Sequence, residues 1–307
     1  MQNAVISVNL KSIRQNADAF LRMTNAKLCA VVKANAYGHG ATAVAETLKG
    51  RASMFAVALI DEGISLRLAG IEEDILVLTP PTDLYDAERA KAYGLILSVH
   101  DRASAALCKG ARVHLMLNTG MNRYGASRVE TLFGDMQIEG MFSHFWSKRS
   151  MEEQYGLFCR QAEIFKREYP NGILHLSATE GTIAERKYHF DVVRIGIGLY
   201  GYASIPLQRA MKVYARCMQN TFAQNGGKGY FQKGTQTHLS TLRIGYGDGM
   251  MRGGAYCMDA YVCDGTFPVG EYVCVMDDAE KVAWNNSTIP YEVLTSMGKR
   301  GRYVYEN

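Results

Sequence analysis

Between residue 27 and about residue 200, short apolar runs alternate with segments whose apolar residues recur at helical spacing. The runs read KLCAVVK, MFAVAL, ILVLT, LILSV, RVHLMLN, IEGMFSH, ILHLS and DVVRI, which makes eight candidate strands. Between them, EEQYGLFCRQAEIFKRE places Phe158, Ala162 and Phe165 on one helical face, and Ile13, Ala17, Phe20 and Leu21 do the same nearer the N-terminus. Eight strand–helix units in this length predict an α/β fold, an N-terminal (β/α)8 barrel of the TIM type, with a doubly wound open sheet as the alternative. After about Pro206 the helical periodicity fades, glycine becomes frequent, and strand-like pieces such as AYVCDG and EYVCVMDD appear. The expected organisation is a barrel over 1–205, whose first strand at about 4–9 is free to pack with the second domain, and a C-terminal mainly-β domain over 206–307.

A barrel places its reactive groups at the C-terminal ends of the strands. Here those ends carry Lys33, Asn118, His144, Ser177 and Arg194. An ammonium closing an apolar run costs free energy unless it is paired, neutralised or chemically used. Lysine also forms Schiff bases with carbonyl cofactors once its amine is neutral. Taken singly, a lysine placed like Lys33 is more often a snorkelling or ion-paired group than a catalyst, and His144 and His175 read first as structural histidines. GIGLYG, residues 196–201, follows a strand and matches GxGxxG, but no acidic residue stands where a ribose would need one. The glycines there suit a phosphate instead, because they expose backbone N–H groups after a strand.

The 307 residues carry a net charge of +4, too mild to indicate nucleic acid or an anionic membrane as partner. No apolar stretch reaches membrane-spanning length, and MQNAVISVNLKSIRQN lacks the pattern of an export signal. The seven cysteines are scattered and form no CxxC, as expected of reduced thiols, so the cytoplasm is the expected location.

AVVKANAYGHG at 30–40 resembles the cofactor-lysine motif of the alanine racemases, pyridoxal-phosphate enzymes with an N-terminal barrel and a C-terminal β domain. LNTGMNRYG at 117–125, GMFSHF at 140–145, VRIGIGLYG at 193–201, RIGYGDGMMR at 243–252 and TIPYEVLTSMGKR at 288–300 follow in family order, so the resemblance runs nearly end to end. It implies pyridoxal 5'-phosphate held by Lys33 as a Schiff base, with Tyr37, Thr179 and the backbone of Gly196 and Ile197 around its phosphate. Arg194 would face the pyridine nitrogen with His175 behind it. Tyr246 would be a second catalytic base supported by His144, and Arg123 and the Met276 backbone would lie near the substrate carboxylate. In this family Tyr246 and Met276 reach into the neighbouring subunit, which implies a head-to-tail homodimer with shared active sites.

Racemisation removes an α-proton from one face and returns one to the other, so a lysine opposite a tyrosine is a sensible pair. Both have reference pKa values near or above 10 and must be brought toward neutrality by their surroundings. The activity implied is conversion of L-alanine to D-alanine, with a serine or broader-specificity racemase, or a catalytically weakened cofactor-binding protein, as alternatives. A decarboxylase on the related frame would bring a cysteine-bearing substrate motif that this chain does not show. Met116 stands where the family usually has a lysine, often carbamylated, and Asn118 where an aspartate is common. Two further departures are HLSAT at 175–179, in place of an HxxNS-type stretch, and Lys299, in place of a tyrosine.

Overall fold

The computed structural model describes residues 4–223, 226–230, 232–233, 237–251, 256–297 and 299–307. Arg252 and Gly298, which belong to the last two motifs, lie outside the described residues. The chain divides into two compact units, one of residues 13–36 and 41–208, the other of residues 1–12, 37–40 and 209–307.

The first unit is the barrel. Strand β1 (Ala4–Asn9) belongs to the other unit, and helix α1 (Leu10–Leu21) leads into the barrel. Then come β2 (Lys27–Val31), α2 (Lys33–Gly38), α3 (Ala41–Leu48), β3 (Met54–Val57), α4 (Ile60–Leu68), β4 (Asp74–Val77) and α5 (Leu84–Ala92). The second half comprises β5 (Ile96–Val99), α6 (Arg102–Leu107), β6 (Arg112–Met116), β7 (Gln137–Phe142), α7 (Met151–Glu168), β8 (Ile173–His175), α8 (Thr179–Ala184) and β9 (Val192–Ile195). All eight expected strands form, in one parallel sheet of order β8-β7-β6-β5-β4-β3-β2-β9. Asp191 N–H donates to Leu174 C=O at 3.0 Å and Arg194 N–H to Ser177 C=O at 3.0 Å, so these two bonds, rather than a regular ladder, tie the last strand to β8.

Strands β3, β5 and β9 are buried along their whole length, which is why the sequence shows runs instead of alternation. The helices carry one buried stripe each. In α7 it comprises Met151, Gln154, Phe158, Ala162 and Phe165, at spacings of three and four residues. Asp83 and Asp101 cap α5 and α6 by accepting the N–H of Asp86 and Ser104, each at 2.8 Å. The stripe of α1 contains a polar residue, Asn16, which is 1 % exposed between Ile13, Ala17 and Phe20. Its amide donates to the carbonyls of Leu199 (2.9 Å) and Gln208 (2.8 Å) and accepts from Gln208 N–H (2.8 Å), fastening α1 to the segment that follows β9.

The second unit is mainly β. Its strands are β1, β10 (Met211–Ala223), a short hairpin of β11 (Gly227–Lys228) and β12 (Gln232–Lys233), β13 (Thr237–Leu242), β14 (Tyr261–Asp264), β15 (Tyr272–Met276) and β16 (Arg302–Glu306). The main sheet runs β14-β13-β10-β1-β16, with β15 also on β10. A register shift between Cys217 and Gln219 lets the long β10 serve β13 with one half and β1 and β15 with the other. β1 pairs parallel to β16, so both ends of the chain lie side by side in one sheet. Two short helices, α9 (Ala279–Asn285) and α10 (Pro290–Ser296), were not anticipated where helical periodicity fades.

Replacing Asn16 with leucine leaves Gln208 N–H and two carbonyls without their partner in the interior. We expect a loss of about 2–4 kcal/mol, read from chemical denaturation of the full chain. A variant as stable as the parent would contradict the fastening role.

Candidate active site at the C-terminal ends of the barrel strands

Lys33, Asn118, His144 and Ser177 each stand two residues beyond the last residue of β2, β6, β7 and β8, whereas Arg194 lies within β9. Lys33 therefore opens α2 instead of closing a strand. That turn is left-handed: Ala34, Asn35, Ala36 and Tyr37 have φ of 51 to 54°, and Gly38 has 80°. Each non-glycine residue in this conformation costs roughly 1–2 kcal/mol, so the surroundings must hold the turn in place. Val32 N–H bonds Ala56 C=O at 2.8 Å, and Ala36 N–H bonds Val32 C=O at 2.8 Å. Ala34 N–H donates to Glu62 Oε1 at 2.6 Å, while Glu62 Oε2 accepts Ala58 and Leu59 N–H at 2.8 and 3.1 Å. Glu62 was not among the residues read from the sequence. It lies 28 positions from Ala34, and a glutamate in the first turn of a helix reads as a local cap.

Burial is the largest influence lowering the Lys33 amine from its usual range; the charges of Arg123 and Arg194 add to it and Glu62 opposes it. Arg194 is 4 % exposed, and among the described residues no carboxylate bonds it. Its Nη1 donates to His175 Nδ1 (2.9 Å) and His175 C=O (3.0 Å). Its Nη2 donates to the carbonyls of Ser143 (2.6 Å) and Leu176 (3.2 Å), with His144 Nδ1 at 3.3 Å. Phe142 lies beneath, its ring centroid 5.4 Å from the guanidinium carbon and stacked on the His175 imidazole at 4.9 Å. Burial, with Arg123 adding to it, pulls Arg194 down to about 10, so it stays charged at neutral pH. His144 is lowered to about 3, by burial first and then by Arg194, Arg123 and Lys33.

Thr179 begins α8 and Gly196 precedes a 3-10 turn, Ile197–Tyr200. Gly198 N–H donates to Thr179 Oγ1 at 3.3 Å, bringing the two helix starts together. A Cβ on Gly198 would stand 2.6 Å from Phe20 and 2.9 Å from Thr179 Cγ2, so this close approach requires glycine. Arg123 follows a loop braced by Asn118, whose Oδ1 accepts Gly120 and Asn122 N–H, both at 3.0 Å. Ser177 is spent locally: its hydroxyl donates to Tyr188 C=O at 2.7 Å and is fully buried.

The remaining candidates lie in the mainly-β unit. Tyr37 is buried against Tyr291, at 5.9 Å between centroids; burial first and then Tyr291 raise its phenol above the usual range. Tyr246 opens a 3-10 turn, Tyr246–Asp248, and remains partly exposed. Asp248 holds this turn by accepting Gly245 N–H at 2.9 Å and is itself paired with Arg300 at 2.9 Å. Met276 is the last residue of β15 and is buried.

A lysine just past a strand, a buried arginine bonded to neutral acceptors and two adjoining helix starts in a parallel barrel fit one class, the pyridoxal-phosphate enzymes of the racemase type. The family model for the alanine racemase N-terminal domain matches residues 8–204. Alanine racemase 2 of Oceanobacillus iheyensis is 31% identical over 361 aligned residues, covering 97% of this chain and 92% of the relative. That alignment is longer than the chain itself, so the relative has internal segments with no counterpart here. Among solved structures, alanine racemase of Clostridium difficile superposes with a TM-score of 0.90 at 26% identity, covering 99% of this chain and 96% of the other. Alanine racemase of Bartonella henselae with covalently bound pyridoxal phosphate does so with 0.86 at 26%, covering 99% and 100%. The chain belongs to the alanine racemase family. It is a pyridoxal-phosphate-dependent racemase, an isomerase, and pyridoxal 5'-phosphate is its cofactor. The residues present fit that group: a lysine amine held low in pKa, a guanidinium with no competing anion, and paired helix starts closed by Gly198.

Burial also holds His114 down to about 3 and His175 well below its usual value, with the Arg194 charge contributing to both. A base lowered on folding takes up its proton more readily when unfolded, so the unfolded chain gains protons first as pH falls below about 6.5. Barrel stability should therefore drop on acidification, with a slope that approaches about 2.7 kcal/mol per pH unit for these two histidines together only well below pH 6.5. Chemical denaturation at pH 7 and pH 5 reads this, and equal stability at both would contradict buried neutral rings.

Proposed function

We propose that the chain interconverts the enantiomers of a small amino acid, L-alanine to D-alanine first, using Lys33 and Tyr246 as the two bases. The observation that carries this is the buried Arg194 guanidinium, bonded only to neutral acceptors and set among the same charges that depress Lys33. When bound, pyridoxal phosphate supplies the electron-withdrawing ring that makes the α-proton of an amino acid removable. Lys33 would carry it, and Tyr37, Thr179 and the backbone N–H groups of Gly196 and Ile197 would hold its phosphate. Arg194 would face its ring nitrogen, and as a permanent charge would disfavour a proton there, which would favour returning the α-proton over transamination. His175 steadies Arg194 from behind. Arg123 and the Met276 backbone receive the substrate carboxylate.

Lys33 holds or releases a proton on one face of the α-carbon, and Tyr246, with His144 near its hydroxyl, does so on the other. Met276 and Tyr246 belong to residues 206–307, which would deliver them to the barrel of a second copy, so the working unit is a head-to-tail homodimer with shared sites. Among the described residues no helix is long and apolar enough to cross a membrane. We place the enzyme in the cytoplasm, supplying a D-amino acid for the cell wall. Lys299 near the substrate side keeps serine and broader substrates open.

Borohydride should fix pyridoxal phosphate to Lys33, and L-alanine or L-serine in heavy water should exchange the α-proton with inversion. Tyr246→Phe should lower exchange from one enantiomer by about a hundredfold or more and spare the other. Retention of cofactor without any exchange would replace the racemase reading with a weakened cofactor-binding protein. Mixing Lys33→Ala with Tyr246→Phe protein tests the shared sites. Activity should return in the mixture, because a mixed dimer rebuilds one complete site; two sites each contained within one chain would give none.

A further inference from the structure

One fully buried histidine of the barrel has no part in the reading above. His114 lies in β6, and its Nδ1 is 2.8 Å from Nε2 of His175. His175 Nδ1 is in turn 2.9 Å from Arg194 Nη1. A guanidinium has donors only. His175 Nδ1 is therefore the acceptor and bare of a proton, so the neutral ring carries its proton on Nε2. That proton points at His114 Nδ1, which must accept it, and His114 then keeps its own proton on Nε2. Any other arrangement sets a donor against a donor. Two neutral rings are also what the neighbouring charges favour, since a second cation beside Arg194 would go uncompensated.

The far end of this chain reaches the opposite side of the barrel. His114 lines a cavity of about 530 Å3 together with the first residues of five strands, Lys27, Met54, Asp74, Ile173 and Val192. Its Nε2 has no hydrogen-bond partner among the described residues. The ring packs so closely on β7 that a Cβ on Gly140 would stand 2.9 Å from Nε2. The hydrogen-bonded line thus passes through the barrel, from the end where strands begin to the end where Lys33 and Arg194 stand.

We propose that His114 is a positioning residue for the racemase: by accepting from His175 it locks that ring in the Nε2–H tautomer, which keeps Nδ1 bare to hold Arg194 in place beneath the cofactor ring. This rests on Arg194 facing the ring nitrogen, as proposed above. His114 touches neither cofactor nor substrate and acts through two intermediaries. The role needs an acceptor at the Nδ1 position, not a titratable group.

The test uses full-length protein with 15N-labelled histidine, with and without pyridoxal phosphate, and reads ring-nitrogen shifts and turnover. In the parent, both rings should be neutral with the proton on Nε2, whether or not the cofactor is present. His114→Asn places an amide oxygen near the lost Nδ1 and should preserve the His175 tautomer and most of kcat. His114→Leu offers no acceptor, so His175 should lose its single tautomer and kcat should fall about tenfold with KM little changed. Should the leucine variant not fold, Gly140→Ala, which pushes the His114 ring, should show the same spectral change in milder form. A proton on His175 Nδ1 in the parent, or His114→Leu (or Gly140→Ala in its place) with tautomer and kcat unchanged, overturns the proposal. Loss of the tautomer with kcat unchanged overturns the positioning role alone. Failure of pyridoxal phosphate to attach to Lys33 in the parent would sink the racemase reading and this role with it, leaving the tautomer assignment standing.

Discussion

A permanent positive charge is buried in the barrel without a negative partner among the described residues, and much of the surrounding construction answers to it. Arg194 bonds three carbonyls and the nitrogens of two imidazoles. Removing a charge from water is expensive even when it is paired, so each acceptor must be held in place. The acceptors come from His175, the last residue of β8, and from the segments just past β7 and β8; the His175 carbonyl also accepts Ser143 N–H at 3.3 Å. Neutral acceptors satisfy the N–H groups without cancelling the charge. The field that remains acts on Lys33 and His144, both depressed in pKa with Arg194 among the causes. A carboxylate in the same place would have quenched that field.

The left-handed turn after Lys33 is the second costly feature, and it answers to the same end of the barrel. Four successive L-residues at positive φ would not persist in an isolated peptide. Glu62 holds the first amide of the turn, and β3 holds the residue before it. The lysine stem thus leaves a backbone held on both sides of the turn's start, which limits the directions its amine can take. Glu62 is also the charge that opposes the depression of the Lys33 pKa. One side chain therefore affects both the direction of the amine and its readiness to hold a proton.

The barrel was legible because parallel strands covered on both faces have to be apolar nearly throughout, and eight such runs leave few folds to choose from. Lys33 and Arg194 stood out for the same reason, as charges at the ends of apolar runs. Ser177 stood out equally and does something else, since a hydroxyl can be absorbed by a nearby carbonyl such as that of Tyr188. Glu62 and the handedness of the turn were hidden because they depend on a contact 28 residues away. His114 was hidden inside RVHLMLN, where an imidazole between Val113 and Leu115 looks like ordinary strand alternation. Helices α9 and α10, at seven residues each, are too short to establish a period.

The loop that carries Arg123 is braced from within. Met116 fills its place in β6 with a thioether, and the Asn118 amide gathers two backbone N–H groups of the loop to itself. Met116 brings no amine to that place, so it cannot take up carbon dioxide as a carbamate, and the bracing of the loop by Asn118 is indifferent to how much bicarbonate the surrounding medium contains.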